Sequence, residues 1–328
     1  MIDPFVIDPF MALAGRLQGG IVIPLLYRLD LMQWEDISFG WSLFAVYGLF
    51  QVLITWAIAM PLEAWRPVER WPGRRVVLTD MFYTLIARVG LLPLVTFVLF
   101  YQVQVHVNGF LVDRGWIPPM LERLIPPLFG HPVLTFFAYA IILDFADYWR
   151  HRISHMIPAW YALHALHHAQ RQMTFWSDDR NHLLDDLLSA LWFGLIALLI
   201  GISPFQFPLL VFMLRFVESL SHANTRISFG RIGERVIVSP RFHRAHHGVL
   251  AAGKRSCNYG AVLPWWDMLF GTADFSPAFA PTGDLEAPEA LATGGYLAQQ
   301  SAGLASLAAV FRRARKAPAG SSSAGIRG

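Results

Sequence analysis

Residues 41–60 (WSLFAVYGLFQVLITWAIAM) contain no charged side chain over twenty consecutive positions. A helix rises about 1.5 Å per residue, so this run reaches across the roughly 30 Å of bilayer hydrocarbon. Backbone placed there must satisfy its own hydrogen bonds, which the uninterrupted run does as a membrane helix. A second span is predicted at 80–101, where Arg88 is a cost that snorkelling or a partner must relieve. A third runs from Pro132 to about Trp149, apolar until Asp144 and Asp147 near its end. Residues 187–217 hold two shorter apolar runs split by Gly201-Ile202-Ser203-Pro204, readable as a full hairpin or a re-entrant one.

Composition agrees. Only 15% of the 328 residues are charged, against about 25% in a soluble domain. The 12 Trp and 25 Phe suit contact with headgroups and acyl chains. The single cysteine, Cys257, excludes an intrachain disulfide framework, a CxxC zinc site and a four-thiolate cluster. Any metal must therefore be held by nitrogen or oxygen. A net charge of +3, with arginines at the ends of apolar runs, reads as a topology signal and not as a nucleic-acid patch. Asp3 and Asp8 stand where a cleavable signal peptide needs a basic segment, so none is expected.

Basic residues between the spans orient the chain. Arg66, Arg70, Arg74 and Arg75 fall in 61–79, but only Arg114 and Arg123 in the longer 102–130 loop. Residues 150–186 again hold four arginines, and 215–255 hold eight Lys or Arg. The positive-inside rule then places every histidine-rich segment on the cytoplasmic side. The expected fold is all-α: a multi-pass membrane helical bundle with a cytoplasmic helical cap carrying a histidine-rich di-metal site. It divides into an N-terminal membrane region (1–130), a catalytic region (131–275) and a tail (276–328). In the tail, 297–313 reads as a short amphipathic helix lying on the membrane, and 315–328 as a disordered end.

Ten of the 12 histidines lie between His151 and His247. HRISH supplies His151 and His155, HALHH supplies His164, His167 and His168, and HRAHH supplies His243, His246 and His247. Between the boxes stand His182 (RNHLLDD) and His222 (SHANTR). Positions i, i+3 and i+4 of a helix lie within an arc of roughly 100°. Each HxxHH is therefore expected to aim three imidazoles at one point, and HxxxH two. Eight box histidines exceed the needs of one ion, and His182 and His222 bring the set to ten. The expectation is two metals with five imidazoles each. Chance placement of eight histidines at ligand spacing is a poor explanation. His106 and His131, in the predicted external loop, are expected not to bind metal.

Ser239-Pro240 before the third box suits a helix start. A metal-bound imidazole usually donates its other N–H to a carboxylate or carbonyl. Asp144, Asp147 and Asp185 are candidates for that role, as are Asp178, Asp179 and Asp186; each also reads as a solvated or capping residue. Arg152 and Arg244, inside boxes, are expected on the opposite face, solvated or at lipid headgroups. Phe175-Trp176 reads as core packing or a channel wall. Imidazole suits Zn, Cu, Fe and Ni alike. No HExxH is present, which disfavours a hydrolytic zinc site of that type.

The ordered set DFADYWRHRISH, WYALHALHH, RNHLLDD, SHANTR, SPRFHRAHHG and NYGAVLPWWDMLFGT, over about 139–275, resembles the fatty acid hydroxylase/sterol desaturase superfamily. The resemblance implies that the eight box histidines bind a di-iron centre, with His182 and His222 matching the family's intervening histidines. It maps a closing motif onto Asn258, Tyr259, Gly260, Trp266, Asp267, Phe270 and Gly271, which would shape the site without binding metal. Asn258 and Asp267 join the supporting candidates on that ground. Three residues between the first two histidines match sterol-type members better than acyl-CoA desaturases. The implied activity is O2-dependent hydroxylation, or desaturation, of a lipid. Acyl or amino-acid-containing membrane lipids rank first as substrates, then sterol-like and carotenoid ones. No fused cytochrome b5 stretch is recognisable, so electrons are expected from a separate ferredoxin or cytochrome b5-type donor with its reductase. Two competing functions are a divalent-metal transporter or storage protein and a zinc-dependent membrane hydrolase. A transporter would place ligands mid-span; a hydrolase would work without oxygen.

Overall fold

The computed structural model describes residues 4–71, 73–201, 207–250, 256–276 and 278–316. Among these there are helices and two isolated bridges, and no strand. Three helical runs are long and apolar enough to cross a membrane: Pro9–Arg28, Met32–Trp65 and Pro132–Met156.

The Glu35–Trp65 helix contains the charge-free run and starts on Glu35 and Asp36, whose charges favour a helix N-terminus. Its packing is inside out. Ser38, Ser42, Gln51, Thr55 and Glu63 are buried, while Leu49, Leu53, Trp56 and Met60 face outward. Small and polar groups against neighbouring helices, with large apolar groups outside, is the pattern of a helix solvated by lipid. Against it lies the first run, absent from the predicted spans because Arg16, Gly19, Gly20 and Arg28 interrupt its sequence. It stays helical through a π turn at Gln18–Val22, and Phe10 stacks on Tyr47 at 4.8 Å.

The span expected at 80–101 is two helices. Arg75–Arg88 and Leu91–Val112 are separated at Val89-Gly90, where the Gly90 φ of 83° suits a residue without Cβ. Gly48 explains the close approach there, since a Cβ on it would run into the Arg88 carbonyl oxygen.

The Pro132–Met156 helix runs past the predicted end at Trp149, so one rod carries the apolar span and the HRISH box. Tyr139 pins its first half, its hydroxyl donating to Gly201 O at 2.7 Å and accepting from Leu121 N at 3.0 Å. Pro158 starts the next helix, Pro158–His168, after a bend at Ile157. The 187–217 runs become Leu183–Leu199 and Phe207–Ser221; the sequence between them lies outside the described residues from 202 to 206. The amphipathic helix expected over 297–313 is Tyr296–Lys316, and one face of it packs on Pro158–His168. Tyr83, Leu166, Ala169 and Leu291 form the core at that contact. Residues 317–328, most of the end read as disordered, lie outside the described residues.

Candidate metal centre

Nine histidines converge in two groups. His151, His155, His164, His168 and His246 form one, and His167, His222, His243 and His247 the other; within each, one nitrogen per ring lies within 4.8 Å of the rest. All are buried except His155, which is half-buried.

Helix geometry explains the division. Residue i+4 sits about 40° from residue i, and i+3 about 60° to the other side. Each HxxHH box therefore straddles the groups and does not aim at a single point. His164 and His168 go to the five-imidazole group and His167 to the other; His243 and His247 go to the four-imidazole group and His246 to the first. The HRISH pair, at i and i+4, stays together. Ser239 sets the third box in register, its Oγ accepting from Phe242 N at 3.1 Å.

The hydrogen bonds identify which nitrogens face inward. His151 Nδ1 donates to Tyr259 O (2.9 Å), His164 Nδ1 to Asp185 Oδ2 (2.8 Å) and His246 Nδ1 to Cys257 O (2.6 Å). None of these acceptors can donate, so each ring carries its proton on Nδ1 and presents a bare Nε2. The Nε2 atoms of all five members are buried without a hydrogen-bond partner. Converging buried lone pairs repel one another unless a cation lies between them.

In the four-imidazole group, His222 Nδ1 donates to Glu218 O at 2.7 Å. Its Nε2 lies 3.3 Å from His167 Nε2 and 3.0 Å from His243 Nε2, and His247 Nε2 lies 3.1 Å from His243 Nε2. Nitrogens bound at right angles about 2.1 Å from one ion are about 3.0 Å apart. The donor set thus fits two cations.

Burial lowers the pKa of His167, His168, His243 and His247 well below the ordinary histidine value, and neighbouring imidazoles push the same way. His246 falls to about 3, burial again dominating over the bond to Cys257 O. The rings are neutral, the form in which imidazole binds metal.

His182 does not belong to either group. Its Nδ1 accepts from Leu184 N (3.0 Å), capping the Leu183–Leu199 helix, and its Nε2 donates to Gln300 O (3.0 Å). With both nitrogens on backbone groups and Gly303 packed against the ring, it has none to offer a metal. The count is five plus four. His106, exposed, bonds Gln102 O on its own helix, and His131 is exposed at a helix start; both lie apart from the centre.

The supporting residues sort by distance from the imidazoles. Asp185 touches one directly and also accepts from Trp160 Nε1 at 2.7 Å. Asp144 and Asp267 act one step further out, where they brace the loop after Cys257. Asp144 accepts from Val262 N, Leu263 N and Trp266 Nε1, and Asp267 from Tyr259 N (2.8 Å) and Gly260 N (2.7 Å). Asn258, in the left-handed region at φ 57°, ties that loop to Phe242 O at 2.9 Å. Asp147 is paired with Arg150 at 2.5 Å. The carbonyls of Tyr259, Cys257 and Glu218, which orient three ligand rings, were not anticipated, because a main-chain oxygen leaves no mark in residue identity.

Arg244 corrects a further expectation. It is 1% exposed, neither solvated nor at a headgroup, and reaches Glu69 at 2.6 Å and Ala280 O at 2.8 Å. Arg152 donates to Tyr148 OH at 3.0 Å beside Trp149. Phe175 packs with Ala59 and Ala223 as core. A cavity of about 50 Å³ is lined by His167, His222 and His243 of the smaller group, by His151 and His164 of the larger, and by charged residues including Arg150, Asp178 and Glu218. A water needs roughly 10–15 Å³ of such volume, so the space suits a few waters or a diatomic gas and not a lipid chain.

Residues 136–272 match the family model described as fatty acid hydroxylase. Human alkylglycerol monooxygenase is 30% identical over 42% of this chain and 30% of its own length. The Xenopus tropicalis alkylglycerol monooxygenase is 25% identical over 70% of this chain and 45% of its own. Fatty acid hydroxylase vlmA of a Lecanicillium species is 27% identical over 41% of this chain and 40% of its own. The chain thus spans less than half the length of these curated relatives. No solved structure matches it.

Proposed function

We propose that the chain, whose residues 136–272 match the fatty acid hydroxylase family model, is a membrane-bound, non-haem di-iron oxygenase of the fatty acid hydroxylase/sterol desaturase superfamily that hydroxylates a lipid with O2 and external electrons. The observation that carries the reading is the convergence of nine imidazoles in two groups, the larger with five bare, buried Nε2 atoms.

His151, His155, His164, His168 and His246 hold one iron, and His167, His222, His243 and His247 the other. A reduced iron pair supplies activation of dioxygen and attack on a C–H bond. The protein holds His164, His151, His246 and His222 each in one tautomer through Asp185 and the carbonyls of Tyr259, Cys257 and Glu218, and it keeps the rings neutral by burial. Both groups border the polar cavity, His167, His222 and His243 from the smaller and His151 and His164 from the larger, so a small molecule there would reach either site. Electrons come from a separate ferredoxin or cytochrome b5-type protein with its reductase. The names of the relatives put lipids with acyl or alkyl chains first as substrates.

The apolar helices form a multi-pass bundle, with the histidine cap on the cytoplasmic side where the arginines cluster. The catalytic region is 131–275, between a membrane region at 1–130 and the tail at 276–328. The names of the relatives, a monooxygenase and a fatty acid hydroxylase, favour hydroxylation over desaturation.

The test is turnover by the iron-loaded protein with reductant, donor and membrane lipid under 18O2. A lipid product heavier by one labelled oxygen is expected. Product formed equally well without oxygen points to a hydrolase and overturns the proposal. Comparing lipids of a deletion strain with its parent, for species shifted by one oxygen or by two hydrogens, identifies the substrate.

A further inference from the structure

Arg88 stands at the break between the Arg75–Arg88 and Leu91–Val112 helices, with a side chain only 7% exposed. Its Nη2 donates to Asp178 Oδ2 at 2.9 Å and its Nε donates to Asp179 Oδ2 at 2.8 Å. Ser219 Oγ donates to the same Asp178 oxygen at 2.8 Å. The other oxygen of Asp178, Oδ1, lies 3.9 Å from Nδ1 of His222, a member of the four-imidazole group. The main chain is fixed as firmly, by Gly48 beneath the Arg88 carbonyl and Phe44 against Gly90.

The five-imidazole group has its own carboxylate, Asp185 on His164. Asp178 is the corresponding carboxylate for the other group, but it lies at the longer distance and is held in place from outside. A buried guanidinium needs an opposite charge whatever its role. This one spreads its planar fork over two adjacent carboxylates, and one of these borders the ligand ring.

We infer that Arg88 is a positioning residue for the four-imidazole metal, fixing the Asp178 carboxylate beside His222 and so strengthening that site's hold on a divalent cation. The inference rests on the two-metal reading above. Removing the guanidinium releases Asp178 and Asp179 from their shared cation, and the carboxylate no longer keeps its place beside the ring. Loss of such an outer contact typically weakens metal binding about 10–100-fold. Lysine restores the charge without the fork, so it restores the hold only in part.

The experiment is anaerobic Co2+ titration of the purified full-length protein in nanodiscs, followed by absorption and bound-metal analysis. Wild type should take up two ions per chain. Arg88→Gln should weaken one binding step by about 10-fold or more and leave the other unchanged. Arg88→Lys should fall between. Asp185→Asn should weaken the step that Arg88→Gln spares. Equal binding of both ions by Arg88→Gln and wild type, or equal weakening of both steps, overturns the inference while leaving the two-metal reading intact. Uptake of no ion by wild type overturns both. Should Arg88→Gln not fold, Ser219→Ala loosens the same Asp178 oxygen: weakening of that one step supports the inference, and unchanged binding overturns it.

Discussion

The two imidazole groups share two of their three histidine boxes yet differ in what surrounds them. The five-imidazole group draws its remaining members from HRISH, on the rod that continues a membrane-length helix. Three of its rings are locked by direct acceptors between 2.6 and 2.9 Å. The four-imidazole group takes its remaining member, His222, from the end of the Phe207–Ser221 helix and puts three rings on the polar cavity, His167, His222 and His243, where the five-imidazole group puts two, His151 and His164. One group offers five imidazoles and the other four. The difference shows how one repeated motif yields two unlike imidazole groups: the repeat supplies three members to each, and the helices that deliver the rest set how many nitrogens converge.

The largest expected effect is at the ligands that divide the groups. His243→Ala leaves three imidazoles in the smaller group and should reduce turnover by at least roughly 100-fold, with loss of one ion and a membrane domain that still inserts. His246→Ala should remove the other ion. Bound-metal counts alongside activity check both, and full metal with full turnover in either variant removes that residue from the ligand set.

Asp185→Asn comes next. It keeps the shape but takes the charge from His164, so metal affinity should fall about 10–100-fold in the five-imidazole group alone. Competition with a chelator reads this directly.

Acid acts on the metal-free protein through both groups. Burial holds His246 near 3 in the folded state, against an unfolded value near 6.5, and lowers His167, His168, His243 and His247 as well. The unfolded chain therefore binds more protons below about pH 6.5. Stability is full above that value and is lost as pH falls through 6.5 towards 3. The Tm of metal-free protein should drop between pH 7.5 and 5; an unchanged Tm shows that the rings are not buried in neutral form.

His182→Ala gives the smallest effect. It should cost about 1 kcal/mol as a lost helix cap, while both metals stay bound. Thermal denaturation and metal analysis separate the two readings, because a ligand at this position would cost an ion.

Legibility in the sequence follows the range of the physics. The Glu35–Trp65 helix and the apolar half of Pro132–Met156 were readable because bilayer thickness imposes a length on an uninterrupted run. The Gly90 break was not, since the apolar run passes through it and the contact it allows, the Arg88 carbonyl against Gly48, is with another helix. The first membrane-length run was hidden by Gly19, Gly20 and two arginines that a packed neighbour tolerates.

Spacing alone determined the box histidines, because i, i+3 and i+4 must share a helix face whatever the rest of the chain does. It did not determine how they divide. The 100° between i+3 and i+4 matters only when two separate points receive the rings, and tertiary packing sets those points. His182 and His222 looked alike in sequence, each a lone histidine between boxes. Only the fold decided that His222 meets His167 and His243 while His182 caps a helix against Gln300, for a side chain's partner depends on which distant backbone arrives beside it.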